Sequence, residues 1–413
     1  LQEFGGDLQA SGREGGGRIV DVTVTDGGPE AAWSKVSLAA AAVNGLTRAA
    51  VRDLPGVCRR SVSLSPDLAG DRGASLLIDE ISAGGGADDI RYDAGGRWIR
   101  EPVVIDVAGE DLAPLPIDGD SVVLITGGAK GITAAVAKAL AREARPRIVL
   151  VGRSPLPEAE SPATVGLDRA ALRSWIVTEA LREGLPVKPA GIEARVTRLL
   201  ADREILATID AIRAAGSIVE YHSIDVRDGN ALAALIRGVR DAYGRLDGVI
   251  HGAGIVEDRS LGDKTDDSFR RVFDTKVASA LVLVRETREV PPSFLVFFSS
   301  VSARLGSRGQ ADYAAANATL DALAASIGSR SETKVMSVGW GPWHGGMVSD
   351  ALLRRYAEGS IATIDPEAGA ERFLRELRVR RPATGVVVVA GTWDGLARAV
   401  DGEKPAAVAT GMP

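Results

Sequence analysis

Short apolar runs that alternate with longer amphipathic stretches constrain the fold of this chain more than any other feature of its sequence. From about residue 120 onward, each run is nearly continuous in apolar residues instead of alternating with polar ones. Continuous runs of this kind are typical of strands in a parallel sheet that helices cover on both faces. The pattern therefore predicts an α/β fold built on a doubly wound parallel sheet. The predicted strands are 122–125, 148–151, 217–221, 248–250, 294–298, 335–338 and 386–389.

The first 115 residues follow a different pattern. An alanine-rich segment at 31–53 indicates a helix, and strand-like residues follow at 57–64, but no phosphate-binding loop or catalytic cluster occurs there. We therefore expect residues 1–115 to form a structural subdomain that packs against a catalytic, nucleotide-binding subdomain at 116–413. The proline-containing stretch 111–119 is the expected junction.

The stretch between the second and third predicted strands is unusually long. Its first part is rich in proline and acidic residues, and residues 192–215 carry apolar residues at helical spacing. We expect these residues to form an insertion on the catalytic subdomain, at about 154–205.

The composition excludes several classes of function. The net charge of −6 provides no broad attraction to nucleic acid or to an anionic membrane. No apolar stretch approaches the roughly 20 residues that a membrane-spanning helix needs. The single cysteine, Cys58, cannot form an internal disulfide, and the three histidines lie too far apart in sequence for a metal site. We expect a cytoplasmic protein without a metal, and the absence of methionine at Leu1 indicates a piece of a larger chain.

A glycine-rich turn directly follows the first predicted strand. Residues 126–133 read TGGAKGIT, and a helix is predicted to begin near Ile132. Glycines allow the backbone to turn tightly and to approach a pyrophosphate, whose charge is met by amide hydrogens and the positive end of the helix. This placement predicts a dinucleotide site, and a sheet of the Rossmann type, rather than a plain tight turn. The residues assigned to the cofactor here are Thr126, Gly127, Gly128, Lys130, Gly131 and Ile132.

Three other strand ends are predicted to meet the same cofactor. Arg153 follows the second strand, where an acidic residue would ordinarily bind the ribose hydroxyls of NAD, so an arginine favours NADPH; a solvated loop arginine is the alternative. Asp225 and Val226 follow the third strand and are placed to meet the adenine, although capping a helix is an equally ordinary use of an aspartate in this segment. His251 is predicted to pack or to hydrogen-bond rather than to catalyse. Small residues assigned to the cofactor follow it, at Gly252, Ala253 and Gly254.

Four polar residues that are distant in sequence are predicted to form a catalytic group. Tyr313 and Asn317 lie four residues apart and so share one helix face, while Ser300 ends the fifth strand. Lys276 lies on a helix predicted at 268–287. Reduction of a ketone needs a hydride donor, a proton donor for the developing alkoxide and donors that stabilise the negative oxygen. Tyr313 can give the proton with Ser300 as a second donor, and a cation at Lys276 would favour the ionised tyrosine, whose pKa is ordinarily about 10.

The chain resembles the short-chain dehydrogenase family and, within it, the ketoreductase domains of type I polyketide synthases. That family carries a tyrosine, an asparagine four residues later and a lysine on the preceding helix, and Tyr313, Asn317 and Lys276 match this pattern. The segment 306–317 and the Trp-Gly-Pro-Trp sequence at 340–343 are also close to the patterns of the family.

The resemblance implies a substrate, partners and a lid. The substrate would be a 3-ketoacyl thioester on an acyl carrier protein, with other domains of a synthase as further partners. A lid over substrate and nicotinamide would span about 344–363. The resemblance is strong over 122–389 and looser over 39–100, where the family has a truncated Rossmann-like structural subdomain. The motif TGGAKGIT and the insertion are more similar to those of iterative polyunsaturated-fatty-acid or enediyne synthases than to those of modular synthases.

Two short family markers bear on the stereochemistry of the product. One type has Leu-Asp-Asp after the fourth strand, where this chain has Val256, Glu257 and Asp258 and so keeps the last aspartate. The opposite type has a tryptophan eight residues before the catalytic tyrosine, where this chain has Leu305. The resemblance therefore implies the D-configured 3-hydroxyl.

Two other classes of function remain open. A catalytically silent domain, kept for structure or docking, predicts a broken catalytic group or nucleotide loop, and neither is broken in this sequence. A short-chain dehydrogenase acting on a free small ketone would usually need only roughly 250 residues and would carry lysine at the position of Asn317. Both comparisons favour a ketoreductase of an assembly line.

Overall fold

Two sheets organise this chain in the computed structural model. A four-stranded sheet belongs to the N-terminal part and a seven-stranded sheet to the rest. The structure describes residues 1–14, 16–25, 35–83, 87–100, 102–103, 112–184, 186, 188–328, 332–344, 361–380 and 385–401.

The N-terminal sheet has the order β1-β2-β3-β4. The first three strands pair in parallel and the fourth pairs with the third in antiparallel fashion. The strands are β1 (Arg18–Val24), β2 (Cys58–Leu64), β3 (Asp89–Asp93) and β4 (Gly96–Ile99). The helices are α1 (Gly5–Arg13), α2 (Lys35–Ala50) and α3 (Asp71–Ser82). Parallel strands joined through helices agree with the predicted truncated Rossmann-like subdomain.

The larger sheet is parallel at every described pair of neighbouring strands, in the order β11-β10-β9-β8-β5-β6-β7. This order confirms the predicted doubly wound sheet, and it reverses between β5 and β8, where ligands bind in such folds. Every strand begins within two residues of its predicted start. The strands are β5 (Val122–Thr126), β6 (Arg147–Gly152), β7 (Val219–Ser223), β8 (Gly248–His251), β9 (Phe294–Ser300), β10 (Lys334–Trp340) and β11 (Gly385–Val388).

Helices cover both faces of the larger sheet. The helices described in this part of the chain are α4 (Gly131–Ala144), α5 (Arg169–Arg182), α6 (Pro189–Ala214), α7 (Gly229–Tyr243), α8 (Asp266–Glu286), α9 (Ser302–Leu305), α10 (Ala311–Gly328), α11 (Pro366–Arg378) and α12 (Trp393–Asp401). Alternate strand residues enter opposite cores: Val123 and Ile125 pack with α4 and α11, whereas Leu124 packs with α7, α8 and α10. Burial on both faces explains why the strand sequences are continuous in apolar residues.

The expected insertion contains two helices. Helix α5 and the first half of α6 share an apolar cluster of their own, and the second half of α6 packs into the main core through Ile205, Ile209 and Ile212. Arg203, on α6, binds the loop that precedes α5, because Nε and Nη2 of its guanidinium donate to Glu160 at 2.9 and 2.7 Å. The separate cluster consists of Leu172, Ile176, Ile192 and Val196.

Helix α2, which belongs to the N-terminal part of the chain, packs closely against α10, which flanks the larger sheet. A β-carbon added at Gly45 would lie 2.4 Å from the carbonyl oxygen of Ala314 and 2.8 Å from the β-carbon of Ala318. Any other residue at position 45 would therefore push the two helices apart. Since α10 carries Tyr313 and Asn317, the N-terminal subdomain supports the helix on which half of the predicted catalytic group lies.

Two findings concern function classes directly. No helix among the residues with assigned positions is long and apolar enough to cross a membrane. In the same part of the chain, no three side chains of His, Cys, Asp or Glu are grouped so that they could hold a metal ion.

Candidate active site

The glycine turn between β5 and α4 lies at the carboxyl end of the sheet, beside the end of β8. Gly127 has a φ of 70°, and a β-carbon there would lie 2.9 Å from the backbone of Ala253. A β-carbon at Gly128 would lie 2.7 Å from the side chains of Ile125 and Leu150. Both positions therefore require glycine, and the backbone forms a narrow cradle at the point where the strand order reverses.

The start of α4 has a contact that the sequence analysis missed. The amide of Gly131, the first residue of α4, donates to the carboxylate of Glu204 on α6 at 2.7 Å. A carboxylate at a helix N-terminus satisfies an otherwise unpaired amide and interacts favourably with the helix dipole. Glu204 lies 73 residues away in the chain, and no local pattern links it to the glycine turn.

The ends of β6 and β7 bring the predicted adenosine-side residues to the same region. Arg153 is exposed and lies near enough to Asp225 to contribute to the lowering of its pKa, although the main cause is the hydrogen bond from Arg227. Val226 is buried. The helix-capping role belongs to Asp228, which accepts from two amides at the start of α7. This leaves Asp225 free of that task.

The end of β8 connects the glycine turn to α8 through His251. Its Nε2 lies 2.9 Å from the carbonyl oxygen of Lys276 and its Nδ1 lies 2.7 Å from Oγ1 of Thr126. Because a carbonyl only accepts, Nε2 carries the proton and Nδ1 accepts from the threonine. Burial, together with the nearby Lys276, lowers the pKa of His251 to about 3, so the ring is neutral. His251 is thus a buried hydrogen-bonding residue, in agreement with the prediction.

The small residues after His251 allow close approaches at the strand end. A β-carbon at Gly252 would lie 2.3 Å from Oγ1 of Thr133, and one at Gly254 would lie 2.9 Å from Cε of Lys276. The amide of Ala253 donates to Oγ1 of Thr126 at 3.3 Å. Larger side chains at these positions would displace either the glycine turn or the lysine.

Lys276 lies buried on α8 beside the predicted proton donor. Its Nζ donates to the carbonyl oxygen of Phe298 at 2.7 Å and lies 5.4 Å from the centre of the Tyr313 ring. The lysine is 3% exposed, and this burial lowers its pKa to about 8, while the charge of Asp321 acts in the opposite direction. The side chain therefore remains mostly protonated at pH 7 and loses its charge in mildly alkaline solution.

Tyr313 and Asn317 are adjacent on α10, as their spacing predicts. Nδ2 of Asn317 donates to the carbonyl oxygen of Tyr313 at 2.8 Å. Oδ1 of Asn317 is buried, and it has no hydrogen-bond partner among the described residues. Such an atom is costly to bury unless a ligand or a water supplies the partner.

Ser300 ends β9 next to this group. The hydroxyl of its neighbour Ser299 donates to the carbonyl oxygen of Asn317 at 3.2 Å, which holds the strand end against α10. The hydroxyl of Ser300 accepts from the amide of Ser302 at 3.2 Å and is partly exposed, so its O–H group can still donate to a bound molecule. The predicted catalytic residues thus come from β9, α8 and α10 to one edge of the sheet.

These residues fit a nicotinamide dinucleotide. The cradle at Gly127 and Gly128 admits no side chains, and it leads to the amides at the start of α4, which suit a pyrophosphate. The unpartnered Oδ1 of Asn317 lies on the helix that holds Tyr313. Both features are those expected where a bound group completes the site.

The two loops that carry the family markers are tied together. Glu257 binds the guanidinium of Arg271 through both oxygens at 2.8 Å, and this contact, with a hydrogen bond from Ser268, lowers its pKa to about 2. Asp258 accepts from Nε2 of Gln310 at 3.0 Å. The marker loop is therefore held by α8 on one side and by the segment before α10 on the other.

The expected lid falls mostly outside the described residues, since 345–360 are not among them. Its two flanks lie side by side. The amide of His344 donates to the carbonyl oxygen of Ile364 at 2.9 Å, and the amide of Ile364 donates to the carbonyl oxygen of Pro342 at 2.7 Å. The Trp340 and Trp343 rings pack edge to face beneath them.

Comparison with known proteins supports one family. The sequence model of the KR domain matches residues 121–345. A polyunsaturated fatty acid synthase polypeptide from Thraustochytrium is 32% identical over 288 residues, which are 67% of this chain and 10% of that protein. Polyketide synthase GfsA from Streptomyces halstedii is 31% identical over 360 residues, which are 84% of this chain and 4% of that protein. The chain thus spans a tenth or less of the length of these two relatives.

Solved structures agree with the sequence comparisons. A ketoreductase domain from the bacillaene assembly line superposes with a TM-score of 0.71 at 26% identity, covering 97% of this chain and 84% of that one. The first ketoreductase of the tylosin synthase superposes with a TM-score of 0.69 at 26% identity, covering 96% of this chain and 76% of that one. With the family match extending over more than half of its residues, this chain belongs to the KR domain family, the ketoreductase domains of polyketide and polyunsaturated-fatty-acid synthases.

Proposed function

We propose that this domain transfers a hydride from NADPH to the 3-keto group of a 3-ketoacyl thioester held by an acyl carrier protein. The product is a 3-hydroxyacyl thioester with the D configuration. The observation that carries the proposal is the position of Nζ of Lys276, buried and 5.4 Å from the centre of the Tyr313 ring, with Asn317 bound to the same helical turn. A cation next to a phenol at the carboxyl end of this sheet suits proton donation to a ketone.

The chemistry divides between the cofactor and the side chains of the chain. NADPH, when bound, would supply the hydride that reduces the ketone carbon, and would thereby be oxidised to NADP⁺. The phenol of Tyr313 donates its proton to the ketone oxygen, and a proton from solvent later restores the phenol. The ammonium of Lys276 stabilises the phenolate in the interval, and the hydroxyl of Ser300 donates a second hydrogen bond to the ketone oxygen.

Asn317 gives this scheme a further acceptor. Its Nδ2 is engaged by the carbonyl oxygen of Tyr313, and its buried Oδ1 faces no partner in the described part of the chain. We infer that Oδ1 accepts from a water or a substrate donor during the reaction. Either partner would relieve the cost of an unsatisfied buried oxygen.

Preference for NADPH follows from Arg153. A guanidinium at the end of β6 can form two hydrogen bonds to a phosphate on the ribose 2′-hydroxyl. The acidic residue that would bind the two ribose hydroxyls of NAD is absent from position 153. The neighbouring Asp225 is paired with Arg227, whose Nε donates to Oδ1 at 3.0 Å and whose Nη2 donates to Oδ2 at 2.6 Å. Its charge is therefore partly neutralised near the adenosine side of the site.

The configuration of the product and the partners rest on family likeness. Asp258 retains the last residue of the marker of one type, and Leu305 takes the place of the tryptophan of the other. An acyl carrier protein and other synthase domains are proposed as partners because the relatives are long synthases of which this chain matches a small part. We propose the cytoplasm as the location. The proposed division is a structural subdomain at 1–115 and a catalytic one at 116–413.

The direct test is the reduction of a 3-ketobutyryl thioester of N-acetylcysteamine by the purified chain, followed as NADPH oxidation with chiral analysis of the alcohol. We expect the D alcohol, and we expect Tyr313→Phe to lower kcat by about 100-fold or more while the Kd for NADPH changes little. Tyr243→Phe is the matched control, because this tyrosine bonds Glu220 on the far edge of the sheet. Its rate should equal that of the wild type.

Other outcomes would select the alternatives. A wild-type chain that binds NADPH but reduces no thioester would support the catalytically silent domain. Faster reduction of a free small ketone than of the thioester would support the small-ketone dehydrogenase. Equal losses of rate and of NADPH affinity in Tyr313→Phe would contradict the role given to this phenol.

A further inference from the structure

The carboxylate of Asp53 joins the N-terminal subdomain to two loops of the catalytic one. Asp53 ends the single helical turn Val51–Asp53 that follows α2, and it is 8% exposed. Its Oδ2 accepts from the amide of Leu261 at 3.0 Å, and its Oδ1 accepts from the amide of Gly309 at 3.0 Å. One buried side chain therefore holds two backbone amides that lie 48 residues apart in the chain, at 261 and 309.

Both loops border the proposed active site. Leu261 belongs to the loop between β8 and α8, which carries the marker residues Glu257 and Asp258. Gly309 belongs to the segment before α10, four residues ahead of Tyr313. Two bonds also join the loops to each other, from the amide of Arg259 to the carbonyl oxygen of Gly309 at 3.1 Å and from Gln310 to Asp258 at 3.0 Å. A third joins Lys264 of the first loop to Asp312 in the first turn of α10 at 2.7 Å.

The contacts are too specific for a carboxylate that only fills space. A carboxylate is an acceptor at both oxygens, which is what two converging amides require. Gly309 has a φ of 76°, a backbone conformation that residues other than glycine avoid. In this conformation its amide donates to Asp53. The guanidinium of Arg308 lies 3.7 Å from the same carboxylate but is largely exposed and contributes little.

We propose that Asp53 is a positioning residue for the reduction. By holding both loops, it fixes the wall past which the thioester enters, and so determines how tightly the substrate binds and which face of its ketone meets the hydride. The inference rests on the proposed function for its substrate. It assigns the N-terminal subdomain a part in specificity beyond that of a packing partner.

Two variants and one control test the proposal. Asp53→Asn keeps the size of the side chain but has one acceptor oxygen, so its NH₂ group opposes one of the two amides. Asp53→Ala removes both acceptors. Asp79→Asn is the control, because Asp79 is exposed on α3 of the same subdomain.

We expect both Asp53 variants to raise the KM for the thioester by about tenfold and to lower the ratio of D to L alcohol, as the loss of a buried acceptor implies. The Kd for NADPH should change less than about twofold, since the cofactor contacts other loops. The control should match the wild type in every measurement. An unchanged KM and an unchanged alcohol ratio would overturn the proposal, and so would parallel losses of thermal stability, NADPH affinity and rate, which indicate a merely structural residue.

Amide hydrogen exchange gives a readout that needs no turnover. In Asp53→Asn and Asp53→Ala, the amides of Leu261 and Gly309 should exchange faster than in the wild type, while amides of the sheet should not. Unchanged exchange at both amides would overturn the proposal whatever the enzyme reduces. A wild-type chain without reductase activity would instead remove the proposed function, and the exchange experiment would still decide whether Asp53 holds the loops.

Discussion

Raising the pH through the pKa of Lys276 should slow the proposed reaction. The lysine is 3% exposed, and burial lowers its pKa to about 8 from an ordinary value above 10. Burial disfavours the charged form of an amine, so the ammonium is present below this pKa and lost above it. In the proposed mechanism the charged form stabilises the phenolate of Tyr313, so kcat should be high at neutral pH and fall as the pH rises through about 8.

The size of the fall follows from the titration of one group. With a pKa of about 8, roughly nine tenths of the lysine is charged at pH 7 and roughly one tenth at pH 9. If only the charged form supports proton transfer, kcat decreases about tenfold over this interval. An unperturbed lysine, with a pKa of about 10.4, would leave kcat nearly constant over the same range.

The assay is the initial rate of NADPH oxidation at saturating NADPH and thioester, in a buffer mixture of constant ionic strength. Lys276→Met is the diagnostic variant: its rate should be lower at neutral pH, and its alkaline fall should move toward about 10, the ordinary pKa of a tyrosine. A wild-type kcat that stays level up to pH 9 would refute the reasoning. So would an alkaline fall that remains near pH 8 in Lys276→Met, because another group would then be titrating.

Three other substitutions test the cofactor site. Arg153→Ala should lower the preference for NADPH over NADH, measured as the ratio of kcat/KM values, by about tenfold or more, since a phosphate loses its paired donor. Arg182→Ala is the control, because this side chain is exposed at the end of α5 in the insertion. An unchanged ratio in Arg153→Ala would refute the assignment. Gly127→Ala should destabilise the fold by about 1–3 kcal/mol in chemical denaturation and weaken NADPH binding, because its β-carbon would lie 2.9 Å from the backbone of Ala253 at a positive φ. A stable variant with normal affinity would contradict this interpretation of the turn. Glu204→Gln should tighten NADPH binding a few-fold in a titration, because it removes a negative charge beside the first amide of α4 where a pyrophosphate is proposed; weaker binding would show that the carboxylate supports the site instead.

The larger sheet could be predicted because burial on both faces requires strands whose residues are almost all apolar. Val122–Thr126 is apolar until its last residue, and a glycine turn follows it at once. Helix α5 could not be predicted in the same way. Apolar residues such as Trp175, Ile176, Val177 and Leu181 surround much of its circumference and give no single stripe.

The candidate site shows the same limit. Tyr313 and Asn317 are near in sequence, and a helix spacing is enough to join them. Lys276 and Ser300 could be assigned from their places on a predicted helix and at a predicted strand end, together with the chemistry that ketone reduction needs, and the structure brings Lys276 to the Tyr313 ring. Glu204 and Asp53, in contrast, bind backbone amides. Almost every residue type carries this group, so the sequence of the partner segment does not reveal the contact.

The fit of Gly45 against Ala314 has a consequence for the exchange of such domains between synthases. The two helices approach so closely that the side chains on one surface have to fit those on the other. A chimaera that joins the catalytic part of this chain to the N-terminal part of a distant relative would bring mismatched surfaces together under the helix of Tyr313. Recombination that respects this contact would have to move both parts as one block.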